Sequence, residues 1–174
     1  NSRRCRKQHN KMKLLFENWR KHLKEQAEVP PPDFLYHATA PTRLANIMNS
    51  GISQGESKFQ GNTGQAGIST ASSIDALTGG DFGNLILVLD TAKMGSNYKF
   101  IPTDYWGDDR EKEIRVISKD ESSLVVSPNA IAKLIFISPK IPRFELKELA
   151  KYNIPIESIW KGKTKTYDVG GSFT

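Results

Sequence analysis

The chain has 174 residues, 37% hydrophobic and 25% charged, which is enough for one domain with a proper core. Its single cysteine, Cys5, excludes an intrachain disulfide and a cysteine-based metal cluster, so the domain can hold together in a reducing compartment. No run approaches the roughly 18 apolar residues of a membrane-spanning helix, and no signal peptide is visible. Because the chain opens on Asn1 rather than Met, the expectation is a piece cut from a longer polypeptide.

The charge is placed unevenly. The net charge is +6. Residues 1–28 hold nine Lys/Arg against Glu17, Glu25 and Glu28, which alone gives +6, and the remainder balances. A basic arm of this kind attracts nucleic acid, acidic partners or anionic membrane, although a solvated helix face is the plainer reading. Within it Met12, Leu15, Phe16, Trp19 and Leu23 recur at helical spacing, so an amphipathic helix is expected from Lys11 to about Gln26. Pro30–Pro32 form a stiff spacer. The division expected is therefore a helical arm and spacer over 1–32 and a catalytic domain over 33–174.

Phe34–Thr39, bracketed by Pro32 and Pro41, reads as a short buried strand carrying His37 in its middle. Leu44, Ile47 and Met48 then mark a helix, with Thr42 as the expected N-cap and Gly51 as the stop. Residues 53–67 form a long polar loop with four glycines, a length that is usually functional or disordered. Ile68–Ala71 is a short strand, and Ser72 or Ser73 caps a brief helix through Ile74 and Leu77 that ends at Gly79 and Gly80. Leu85–Thr91 is a continuous buried strand. Residues 92–109 look irregular and aromatic. Glu111–Ile117 alternates like a strand, Ser123–Ser127 and Lys133–Ser138 are two more, and Phe144–Tyr152 is a short helix. The tail from Lys161, polar and glycine-rich, reads as mobile. Roughly six or seven strands with a few early helices, not alternating regularly, predict an α+β sandwich.

The histidines, His9, His22 and His37, have no metal-ligand spacing, and no nucleophile elbow, P-loop or dinucleotide-binding glycine motif is present. Taken singly, His37, Ser69-Thr70 and Glu111/Glu113 each have an ordinary structural reading: a core histidine, plain strand residues and the solvent face of an edge strand.

Together they carry a likeness. Leu35–Thr39, a helix ending in Ile47–Ile52, then Gly67–Ala71, then Glu113–Val116, resembles the ADP-ribosyltransferase superfold in order and spacing over residues 34–138. The resemblance implies a split β-sandwich that consumes NAD and releases nicotinamide. It implies that His37 binds the adenosine ribose, that Ala38 and Thr39 lie near the nicotinamide carboxamide, and that Ser69 and Thr70 support the nicotinamide pocket. It implies that Glu113 binds the nicotinamide ribose and is catalytic, with Glu111 as the second carboxylate that orients an acceptor. Breaking the nicotinamide–ribose bond develops oxocarbenium character, which a fixed carboxylate stabilises best where water is excluded.

The chain mixes two classes. One carries tyrosine where Ser69 or Thr70 stands here, so another ring is needed for nicotinamide stacking: Phe59, Phe82, Tyr98 or Phe100. The other carries Ser-Thr-Ser and two spaced glutamates but has arginine in place of His37. The function expected is a mono-ADP-ribosyltransferase, a bacterial toxin or effector delivered into a target-cell cytosol. Its acceptor is a macromolecule, protein or RNA, and an immunity protein is a further expected partner. NAD glycohydrolysis, RNA 2′-phosphotransfer and a catalytically inactive basic binding module are the alternatives.

Overall fold

The structure, a computed structural model, describes residues 29–53, 67–78, 83–103, 112–119, 125–141 and 143–167. The expected N-terminal amphipathic helix, the glycine-rich loop, Phe59, Phe82 and Glu111 lie outside them.

The described residues form a mixed α and β domain dominated by one large sheet, with few helices. The strands are β1 (Phe34–Thr39), β2 (Ile52–Ser53), β3 (Ile68–Ala71), β4 (Leu85–Asp90), β5 (Tyr98–Thr103), β6 (Glu113–Ser118), β7 (Val125–Val126), β8 (Ile131–Phe136), β9 (Ile156–Trp160) and β10 (Lys163–Tyr167). The helices are α1 (Leu44–Ser50), α2 (Asp75–Thr78) and α3 (Arg143–Ala150). Eight strands pair in the order β10-β9-β8-β4-β1-β3-β6-β5, antiparallel except β8 with β9, while β2 and β7 pair separately.

Hydrophobicity explains the centre. Leu85, Ile86, Leu87 and Leu89 of β4 have no exposed surface, so both faces of this strand are covered, as a continuous apolar run requires. One face carries Leu35, Leu85, Leu87, Leu89, Leu134 and Val116 and is covered by α1, α3 and the β2–β7 pair. The other carries Ile86, Val88 and Ile135, against which Tyr36, Ile74 and the α2 residue Leu77 pack.

Several expectations need correction. Thr42 does not cap α1: a short 3-10 turn over Pro41–Arg43 precedes it, and neither helix start has a side-chain cap. Gly51 does end α1, at φ 84, with its amide on Ile47 O. The segment expected to be irregular contains β5, and the expected mobile tail contains β10. Both are edge strands, whose unpaired side tolerates the Pro102 and the alternating lysines that made them look unlike strands. The glutamate strand β6 is internal, between β3 and β5, so Glu113 is not on an edge.

The sheet has one weak seam. β1 matches β4 over six residue pairs, but β1 meets β3 at a single pair, Tyr36 with Ala71. No further β1–β3 pair is formed among the described residues, and the site lies beside this short pairing.

Candidate functional site

Side chains alternate between faces along a strand, and residues paired across strands share a face. The pairings Tyr36–Ala71 and Ala71–Glu113 therefore set three side chains in one row across β1, β3 and β6. Neighbouring strands lie about 4.8 Å apart, so Tyr36 and Glu113 stand about 10 Å apart with only a methyl group between them. A small residue between two large ones makes a trough. Ser69 and Arg115 form the next row on the same face. The resulting pocket, about 220 Å³, is floored by Ala71, bounded by Tyr36, His37, Ala38, Ser69, Thr70 and Glu113, and flanked by Ala76 and Leu77 of α2.

Glu113 is 8% exposed. A buried carboxylate is costly unless paired and hydrogen-bonded. Ser69 Oγ donates to Oε1 at 2.7 Å, and the Arg115 guanidinium lies 3.0 Å from the same oxygen. The strand start is fixed as well: Ser72 N and Ser72 Oγ both donate to Lys112 O, at 3.0 and 3.3 Å. Lys112 itself takes φ 41, an uncommon backbone state for a lysine.

His37 belongs by register to the opposite face, beside Leu87. Its ring nevertheless reaches β3, where Nδ1 contacts Ser69 O at 2.9 Å. A carbonyl oxygen only accepts, so Nδ1 is the donor. Burial pushes the imidazole below its ordinary value; the Ser69 carbonyl opposes this, and the Arg43 charge adds to it. At neutral pH the ring is thus uncharged with the proton on Nδ1, and Nε2 is a hydrogen-bond acceptor.

The structure brings His37, Ala38, Ser69, Thr70 and Glu113 to one pocket. Thr39 is buried at the far end of β1 and does not line it. Thr70 contributes backbone, since its buried hydroxyl donates to Ile114 O and ties β3 to β6. Among the expected aromatics, Phe100 is in the core on the opposite face. Tyr98 packs against that same core with its hydroxyl on Val125 O. The ring that does line the pocket is Tyr36, which the sequence hid: it sits next to His37 and only the β1–β3 register shows that it shares a face with Glu113.

Among the described residues no three His, Cys, Asp or Glu side chains gather as for a metal, and no helix is long and apolar enough to cross a membrane. Comparison with protein-family models finds no match, and comparison with curated proteins finds none either.

Proposed function

We propose that this chain is an NAD-consuming mono-ADP-ribosyltransferase built on the split β-sandwich of that superfold, transferring ADP-ribose to a protein or RNA acceptor. The observation that carries the reading is the convergence of His37 and Glu113, 76 positions apart in sequence, on one pocket at the seam between β1 and β3. The seam is where a sheet that splits would part, and the remaining residues fit the chemistry.

In this reading the nicotinamide ribose lies in the trough over Ala71. The carbon–nitrogen bond breaks, nicotinamide leaves as a neutral molecule with the bonding pair, and positive charge develops on the ribose. The Glu113 carboxylate, buried and held by Ser69, stabilises that charge without reorganising. His37 Nε2 accepts from a ribose hydroxyl, and Tyr36 offers its ring to the nicotinamide. The acceptor then bonds to the ribose carbon and loses a proton. Glu111, the expected acceptor-orienting carboxylate, lies outside the described residues. A role as bacterial effector, with an immunity partner, belongs to the same proposal.

The test is nicotinamide release from labelled NAD by the full chain, wild type against Glu113→Gln. The amide keeps the shape and the Ser69 contact but removes the charge. Release should fall by about 10²–10³ while NAD affinity changes little. Unchanged release would overturn the proposal. Mass spectrometry of protein and RNA fractions for added ADP-ribose identifies the acceptor, and release without any adduct would favour water as acceptor.

A further inference from the structure

A second surface lies four strands from β1, at the opposite edge of the sheet from β5. Residues 160–167 read Trp-Lys-Gly-Lys-Thr-Lys-Thr-Tyr, with three lysines and no acid. They form a tight hairpin: Trp160 pairs directly with Lys163, and the two residues between, Lys161 and Gly162, both have positive φ, 49 and 73. That is the turn geometry whose twist suits a two-residue connection. The pairings Trp160–Lys163, Ser158–Lys165 and Ile156–Tyr167 place Trp160, Lys163, Lys165 and Tyr167 on one face. Lys165 Nζ sits 4.9 Å from the centre of the Tyr167 ring. The Tyr167 hydroxyl is anchored by Ser158 Oγ at 3.3 Å and accepts from Ile141 N at 3.4 Å, so this end of the strip is fixed.

Lysines on an edge strand have an ordinary purpose, which is to discourage pairing with another sheet. That purpose does not account for Trp160. It is 43% exposed, one of three large apolar side chains so exposed among the described residues, and it stands at the tip beside the lysines. An exposed indole invites the association that the lysines oppose, unless the intended partner is itself a polyanion with flat apolar faces.

We propose that the β9–β10 hairpin binds a single-stranded nucleic acid, with Trp160 stacking on a base and Lys161, Lys163 and Lys165 taking successive phosphates. Stacking on an aromatic ring requires a base freed from its duplex partner, which selects single strands over double strands. Lys163 and Lys165, two residues apart on β10, space their charges at about 7 Å, close to the spacing of phosphates along an extended strand, and Lys161 adds a third charge from the turn. A protein partner with an acidic face would satisfy the lysines and leave the indole without a specific use. This inference stands independently of the NAD reading, and the hairpin can bind whether or not the pocket is catalytic.

The test is fluorescence anisotropy with a labelled twelve-nucleotide oligo-U and the matching oligo-dT and duplex, using the full chain so that the basic N-terminal arm is present throughout. Trp160→Ala should weaken single-strand binding roughly tenfold, and Trp160→Phe should restore most of it, since stacking needs only a ring. Replacing Lys161, Lys163 and Lys165 together by Gln should reduce the slope of log affinity against log salt by about 2, the share of three phosphates on a single strand. Unchanged affinity in Trp160→Ala together with an unchanged salt slope in the lysine variant would overturn the proposal and leave the arm as the binding element. Duplex bound as tightly as single strand would also overturn it. Circular dichroism and melting of each variant separate loss of binding from loss of fold. Nicotinamide release, measured on the same variants, is expected to persist, which distinguishes failure here from failure of the pocket's assignment.

Discussion

At the scale of single residues, two side chains make the pocket chemically specific, and each gives a measurable consequence. Ser69 is the hydroxyl partner of Glu113, and the 2.7 Å contact is charge-assisted. Ser69→Ala removes one donor from a buried carboxylate and frees its orientation. On the proposed activity, kcat for nicotinamide release should fall about tenfold with KM little changed, because the orientation matters most as charge develops. An equal loss in KM alone would instead make Ser69 a binding residue. His37 responds to pH. Its lowered value in the folded state means that the unfolded chain takes up its proton first as pH falls. Its contribution to stability is therefore full above about pH 6.5 and is lost as pH falls from there toward the folded-state value. Melting temperature measured from pH 8 to pH 5.5 should drop more steeply for wild type than for His37→Asn, in which no such proton is taken up. Parallel curves would refute the link. The same protonation turns Nε2 from acceptor to donor, so it would weaken a ribose hydroxyl contact over the same range.

At the scale of elements, the register between strands decides what the pocket can hold. Ala71 lies between Tyr36 and Glu113 in one row, and its methyl group is the floor. Ala71→Leu pushes three further carbons into that trough. Overpacking a buried position costs about 1–3 kcal/mol, so a folded protein is expected with a modestly lower melting point. NAD binding, read by calorimetry or saturation transfer, should be lost. Retained affinity would place the ligand elsewhere. None of this register is visible in the sequence, and the reason is physical. β4 is legible because five consecutive apolar residues have no other soluble place to go, and β1 because prolines bracket it. Which residue of β1 meets which residue of β3 depends on long-range pairing that no local pattern carries. The resemblance named His37, Ala38, Ser69, Thr70 and Glu113, which line one pocket, and did not name Tyr36, because that ring gains its position only from the pairing with Ala71. β5 and β10 were hidden because edge strands relax the composition rules: Pro102 on one and alternating Lys and Thr on the other are tolerated where one side needs no partner.

For the whole molecule, the seam divides the sheet into unequal parts. Seven side chains with no exposed surface, Leu35, Leu85, Ile86, Leu87, Leu89, Leu134 and Ile156, belong to β10-β9-β8-β4-β1, while β3-β6-β5 contributes Val116. The two parts share a single β1–β3 residue pair, reinforced by the His37–Ser69 contact. Local stability follows the density of buried apolar contacts and the protection of backbone hydrogen bonds. Amide hydrogen exchange should therefore be slowest in β1, β4 and β8, near the rate set by global unfolding, and measurably faster in β3 and β6. A ligand that contacts both β1 and β3 binds the arrangement in which they are paired and stabilises it by mass action. Saturating NAD should accordingly slow exchange in β3 and β6 while leaving β8 and β9 nearly unchanged. Uniform protection in the free protein would show one cooperative unit. Uniform slowing on adding NAD would mean that the ligand does not act through the seam. The pattern expected is the asymmetric one, because the pocket proposed to take NAD lies where β1 and β3 share a single residue pair, so a ligand there bridges the two parts of the sheet.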